Sequence, residues 1–196
     1  MGTNGAGMDQ ARAIPIGLEL ADGRLRLRAW REHDAPALHT AMRESHESIG
    51  RWLSWCHPAY GLADAMEWVA HCRDAWRRGE QYAFAVLDPG ERLFGSVDIK
   101  LHDRRVPCGN VGYWMRQSRQ KQGVCPHAVA MLTDFGFDRL GLQRLEILAA
   151  TENRPSRRVA EKLGARFEGV ARQRLQVHGL PCDAAVYGLI PGDRRG

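Results

Sequence analysis

No stretch of this sequence approaches the roughly 18 consecutive apolar residues that a membrane-spanning helix needs, so no such helix is expected. Nor does the start, MGTNGAGMDQ, hold a basic segment followed by an apolar run. It reads as a flexible segment (1–20) rather than a signal peptide. Five cysteines, Cys56, Cys72, Cys108, Cys125 and Cys182, are odd in number and widely spaced, with no C-x-x-C. That argues against a disulfide framework and against structural zinc, and the adjacent pairs Cys56-His57 and His71-Cys72 are poorly spaced to ligate one metal. Reduced thiols, no metal and a cytoplasmic location are the expectation. Lysine is scarce: three residues, Lys100, Lys121 and Lys162, stand beside 25 arginines, with a formal net charge of +5. The surplus favours an anionic cofactor or an acidic protein partner, but it is spread along the chain, so nucleic acid is not the expected partner.

What is present fits one folded unit. A chain of 196 residues can bury a sizeable core, and 44% hydrophobic with 26% charged residues is ordinary for a globular protein. Residues 21–192 are read as a single domain. Alternation predicts a strand over 24–30, and Asp34 with Pro36 starts a helix over 35–43. Ile49, Trp52, Leu53 and Trp55 fall at helical spacing, predicting a short aromatic helix over 48–55 whose simpler role is core packing. An amphipathic helix is predicted over 62–78, closed by Gly79. Strands follow over 81–87 and 93–101 around the turn Asp88-Pro89-Gly90, with Ser96, Asp98, Lys100 and His102 alternating against Val97, Ile99 and Leu101. A strand over 110–115, a helix ending near Phe135 and a strand over 144–150 make a β-α-β crossover, hence a parallel pair. A helix over 154–163 and two strands, 167–177 and 184–190, complete the pattern. The fold class is α/β (α+β): a mixed, mostly antiparallel twisted sheet with helices on both faces and a central parallel strand pair.

The chain is organised around Arg116 to Phe135, RQSRQKQGVCPHAVAMLTDF, a basic loop running into a helix. Gly123 lets the backbone turn and lets a ligand approach, and Pro126 suits the first helical turn. Free N–H groups there, the positive end of the helix dipole and the nearby Arg116, Arg119 and Lys121 make a place for a phosphate or pyrophosphate. An ordinary strand-to-helix connection with solvated charges is the competing reading. Neither G-x-x-x-x-G-K-[ST] nor G-x-G-x-x-G follows this strand, which excludes a P-loop and a dinucleotide-binding turn.

Gln120-Lys121-Gln122-Gly123-Val124-Cys125 resembles the acetyl-CoA loop of the GNAT acetyltransferases, Q/R-x-x-G-x-G/A, with Cys125 in the second small-residue slot. Gly112-Tyr113-Trp114 before it, Asn153 and Ser156 after it, and then Leu163-Gly164-Ala165-Arg166-Phe167-Glu168-Gly169 resemble the series found in the RimJ/RimL type of N-terminal acetyltransferase. Trp52-Leu53-Ser54-Trp55 is similar to a W-L-x-W segment there. The likeness runs from about Leu25 to Ile190.

The resemblance implies direct transfer of acetyl from acetyl-CoA to an amine in a ternary complex. Cofactor contacts are implied for Trp114, Met115, Arg116, Gln120, Gln122, Gly123, Val124, Cys125, Asn153 and Ser156, with Ser156 also serving the departing sulfur. Asn153 has a rival role as the N-cap of the following helix, and serine in a first turn is commonplace. Trp52, Trp55 and Tyr113 are the implied substrate side. The glutamate that some RimL-type enzymes carry corresponds here to Leu175, leaving Asp98, His102 and Glu152 as candidates for the base, of which Asp98 is taken. The expected acceptor is a protein N-terminal amine, of ribosomal-protein type. A small amine such as an antibiotic or polyamine, and a non-catalytic acyl-CoA-binding module, remain the alternatives; a homodimer is left open.

Overall fold

The computed structural model describes residues 14–103 and 106–194. Among them, eight strands form one sheet: β1 (Glu19–Ala21), β2 (Arg26–Ala29), β3 (Gln81–Leu87), β4 (Leu93–Lys100), β5 (Cys108–Met115), β6 (Arg144–Ala150), β7 (Arg166–Val177) and β8 (Leu180–Leu189). Their spatial order is β1-β2-β3-β4-β5-β6-β8-β7. Neighbours are antiparallel except β5 and β6, which are parallel as the crossover predicts. Four helices, α1 (Ala35–Ile49), α2 (Leu62–Arg78), α3 (Val124–Asp138) and α4 (Arg154–Lys162), cover the sheet.

Strand alternation divides the core in two. Leu38 and Met42 of α1 and Val69 and Cys72 of α2 pack with Ala83, Ala85, Leu93 and Trp114. Val129, Leu132 and Phe135 of α3 pack with Phe84, Val97, Ile99, Val111, Met115 and Ile147 on the other face. Trp76, near the end of α2, joins this second cluster, with its ring 4.8 Å from Phe84. Gly79 closes α2 in the left-handed conformation with φ 66°, where glycine avoids a β-carbon clash.

Two expectations are corrected, the helix over 48–55 and the bounds of the last two strands. The proposed helix over 48–55 does not form: α1 runs on to Ile49, and the chain then turns, with Trp52 and Leu53 both donating to the Ile49 carbonyl. Gly50 allows that reversal, because a β-carbon there would stand 2.2 Å from the carbonyl oxygens of His46 and Cys56. The segment expected to be flexible (1–20) falls mostly outside the described residues, but at Glu19 the chain is already a strand pairing with β2. The last two strands meet more closely than predicted, at the two-residue turn His178-Gly179 with φ values of 50° and 76°, the geometry that matches strand twist.

The β5–β6 ladder positions the site. Only the registers Cys108–Arg144, Gly109–Leu145 and Asn110–Glu146 pair; beyond them Val111–Met115 and Ile147–Ala150 part, leaving a wedge between the strands.

Candidate active site

One side of the wedge leads into the loop before α3. Lys121 and Gly123 are both left-handed, with φ 61° and 76°, and this double turn leads into the N-terminus of α3. Gly123 supplies no side-chain cap, the first turn holds no acid, and Pro126 has no N–H to leave orphaned. A β-carbon on Gly123 would meet nothing within 4 Å, so the space beyond the helix end is open. An anion is favoured there by the uncapped N–H groups and by the dipole.

The loop is braced by its own amides and by α1. Gln120 Nε2 donates to the Met115 carbonyl at 3.0 Å and to Ser48 Oγ at 3.3 Å, while Gln122 Nε2 donates to the Ser118 carbonyl at 2.8 Å. Glu44 accepts from Arg116 Nε at 3.0 Å and from the Ser118 N–H at 2.7 Å, and Ser45 Oγ accepts from the Gln117 N–H at 3.0 Å. The Arg116 guanidinium, with Ser118, holds the Glu44 carboxyl well below its ordinary value, at about 2. Arg116 is thus directed at Glu44 and the Leu93 carbonyl, while Arg119 stacks over Phe94 at 4.5 Å. Burial pushes the half-buried Cys125 thiol up to about 12.

Across the wedge, Asn153 caps α4: its Oδ1 accepts the Ser156 N–H at 3.2 Å, the competing role weighed for it. The Tyr113 hydroxyl reaches Ser156 from β5, at 2.9 Å from its carbonyl oxygen and 3.0 Å from its Oγ. Burial raises the Tyr113 phenol above its ordinary value, so it stays protonated and able to donate.

Asp98 lies on the opposite face. Its register partner is Gly112, and Ser96 faces Trp114, so Asp98, Gly112 and Trp114 share the α1–α2 side while Tyr113 shares the α3 side with Val97. Gly112 is small because a β-carbon there would stand 2.5 Å from Asp98 Oδ1. Gln81 Nε2 donates to Asp98 Oδ2 at 2.9 Å, yet burial dominates and lifts the carboxyl to about 6. Trp55 stands 6.4 Å from Trp114, 6.3 Å from Trp68 and 6.2 Å from Tyr60, ring centre to ring centre, forming an aromatic wall on this face. Trp52 stands apart from that wall, with Arg51 5.1 Å over its ring.

The family described as acetyltransferase (GNAT) domain matches residues 24–166, most of the chain. The protein belongs to the GNAT acetyltransferase family. A Bacillus subtilis (strain 168) protein provisionally named ribosomal N-acetyltransferase YdaF is 30% identical over 168 residues, 83% of this chain and 89% of its own length. A solved Vibrio cholerae structure, titled provisionally as a ribosomal-protein-serine acetyltransferase, superposes with TM-score 0.82 at 30% identity, covering 91% of this chain and all of that one. RimL, titled ribosomal L7/L12 alpha-N-protein acetyltransferase in complex with coenzyme A, shares the fold with TM-score 0.81 at 22% identity, over 88% of this chain and 98% of its own.

Apart from the loop residues and Trp52, the expected residues of this GNAT chain fall into two sets on opposite faces of β5. Tyr113, Asn153 and Ser156 form one; Asp98 and Trp55, with Trp114, form the other. His102 and Glu152, the other candidate bases, are exposed, and Leu175 is half-buried opposite Cys182. Sequence reasoning missed the brace from α1 and the part of Tyr60 and Trp68 in the aromatic wall. Glu44 and Ser48, one helical turn apart, were the available signal for the first; nothing local marks the second. Among the described residues no helix is long and apolar enough to cross a membrane, and no three His, Cys, Asp or Glu side chains stand together to hold a metal.

Proposed function

We propose that this GNAT enzyme transfers the acetyl group of acetyl-CoA to the α-amine of a protein N-terminus, with acceptors of ribosomal-protein type. The observation that carries the reading is the wedge itself, with an uncapped, acid-free helix end after its β5 side and, on the α1–α2 face of that same strand, a carboxyl with a raised pKa opposite Gly112. The residues present fit the coenzyme. N–H groups from Gln122 to Cys125 take the diphosphate, the unpaired edge of Trp114 and Met115 takes the amide-bearing arm, and Asn153 borders that arm. Gln120 and Arg116 hold the loop in shape rather than bind directly. The names of the relatives support the acceptor class.

The chemistry follows from which groups hold protons. A free α-amine, with pKa about 8, is about one-tenth neutral at pH 7, enough to attack without a strong base. Nitrogen attacks the thioester carbonyl, the carbon–sulfur bond breaks, and the proton leaving nitrogen goes to Asp98, which is mostly ionised at pH 7. Thiolate leaves on the Ser156 side, where the Ser156 hydroxyl, positioned by Tyr113, donates a hydrogen bond to the sulfur and relays a proton from water. A lysine acceptor, neutral less than about once in a thousand molecules at pH 7, would be served poorly by so modest a base.

The test mixes the purified chain with acetyl-CoA and a panel of N-terminal peptides or polyamines and follows free thiol. Release with peptides and not with polyamines is expected. Tight coenzyme binding without turnover of any amine would make the protein a binding module instead.

A further inference from the structure

Four buried side-chain atoms among the described residues have no hydrogen-bond partner: Arg28 Nε, Tyr60 OH, Asn110 Nδ2 and Trp114 Nε1. Three of them belong to one place. Asn110 and Trp114 flank Gly112 at alternate positions of β5, so both share the sheet face of Asp98. Asn110 is also the last rung of the parallel ladder, at the vertex of the wedge. Tyr60 ends the turn-rich segment after α1, and its ring is joined to Trp114 through Trp55. Tyr60 and Trp114 are only 6% and 7% exposed. Buried polar atoms are nearly always partnered, so three orphans on one side of the sheet are a signal about what is bound there.

All three can donate. The indole N–H and the amide NH2 can do nothing else, and burial raises the Tyr60 phenol so that it keeps its proton. The missing partners are therefore acceptors. We propose that Tyr60, Trp114 and Asn110 read the backbone carbonyl oxygens of the acceptor's first residues, so that the site selects an α-amino amide over a bare amine. A polyamine brings N–H groups and no acceptor oxygen, and would leave all three donors unpaired. The inference rests on the acetyl-transfer reading for its chemistry, and it assigns the choice of acceptor to side chains outside the coenzyme loop.

Access comes through the segment between α1 and α2, which is neither helix nor strand and carries Trp55 and Tyr60. Its near end is tied to the β7–β8 turn: His178 Nε2 lies 2.8 Å from the Gly50 carbonyl, and the His178 N–H donates to Ser54 Oγ at 3.2 Å. Displacement of this segment uncovers the donors, and an entering peptide replaces the aromatic cover. Peptide binding must then disturb the tryptophan cluster.

The experiment measures binding apart from turnover. The full chain is titrated with a library of tetrapeptide amides bearing free N-termini, and separately with spermidine, following tryptophan fluorescence and heat. Peptides are expected to bind with a fluorescence change, spermidine far more weakly, and Tyr60→Phe to weaken peptide binding roughly three- to tenfold. The unliganded Tyr60→Phe protein is expected to melt no lower than the parent, since the hydroxyl it loses had no partner. Equal peptide affinity in Tyr60→Phe, as when a trapped water satisfies the hydroxyl, overturns the proposal. So does spermidine binding as tightly as peptides, no peptide binding, or a melting point lowered by several degrees. Peptides that bind but release no thiol would instead sink the acetyl-transfer reading and leave the donors' role standing.

Discussion

The Tyr113 hydroxyl joins β5 to the first turn of α4 through Ser156, at 2.9 Å from its carbonyl and 3.0 Å from its Oγ. A phenol thus spans the opening where backbone pairing between β5 and β6 has stopped. Tyr113→Phe removes both contacts. The expected loss is about 1–2 kcal/mol in urea unfolding, with kcat lowered about tenfold as Ser156 loses its orientation. An unchanged kcat would separate this pair from the departing sulfur.

Asp98 sets a pH dependence whose sign is fixed by burial. Its folded value of about 6 lies above the ordinary 3.8, so the folded state holds more protons than the unfolded one between those values. Its contribution to stability is best below pH 4 and is lost as pH rises through 6. Asp98→Asn should therefore stabilise the fold at pH 7, with the difference vanishing below about pH 4. Activity should move the other way. The parent's kcat/KM climbs through a limb near pH 6, and Asp98→Asn loses both limb and rate; a limb that survives the substitution removes Asp98 from the reaction.

Glu44 carries the opposite sign. The Arg116 guanidinium first, and Ser118 second, hold its folded value at about 2 against 4.5. Its contribution is present above pH 4.5 and disappears as pH falls toward 2. Glu44→Gln should cost about 1–2 kcal/mol at pH 7 in chemical denaturation and weaken acetyl-CoA binding in calorimetry, because the loop over 116–120 loses its brace. Undiminished affinity would show that the loop keeps its shape without α1.

Gly123 tests the phosphate end. Its φ of 76° strains any residue with a β-carbon by about 1–2 kcal/mol, while the space around that carbon is open within the protein. Gly123→Ala should show the strain alone. Gly123→Glu adds a carboxylate at the helix end and should weaken acetyl-CoA by at least roughly tenfold more. Equal affinities for the two variants would move the diphosphate elsewhere.

Much of the scaffold is written in local pattern. α2, β3 and β6 have the bounds that periodicity predicts, because each is framed by its own punctuation: Gly79 stops α2, and short turns bound the strands. The loop before α3 was legible for the same reason, as a glycine, a proline and a strand-to-helix change lie within a few residues. The error at 48–55 arose because Ile49, Trp52, Leu53 and Trp55 have helical spacing, yet a tight turn after Gly50 uses the same spacing to fold back on the core. Still less legible was whatever depends on register. Gly112 beneath Asp98, and Tyr60 meeting Trp55, are set by strand pairing and by a non-repetitive loop, neither of which leaves a period in the sequence.

Three rungs of parallel pairing are a slender seam between two half-sheets, β1 to β5 on one side and β6 to β8 on the other. α3 packs over that seam, and the Tyr113 phenol ties its β5 side to the first turn of α4. A molecule seated in that opening would touch both halves at once, mortar as well as reactant.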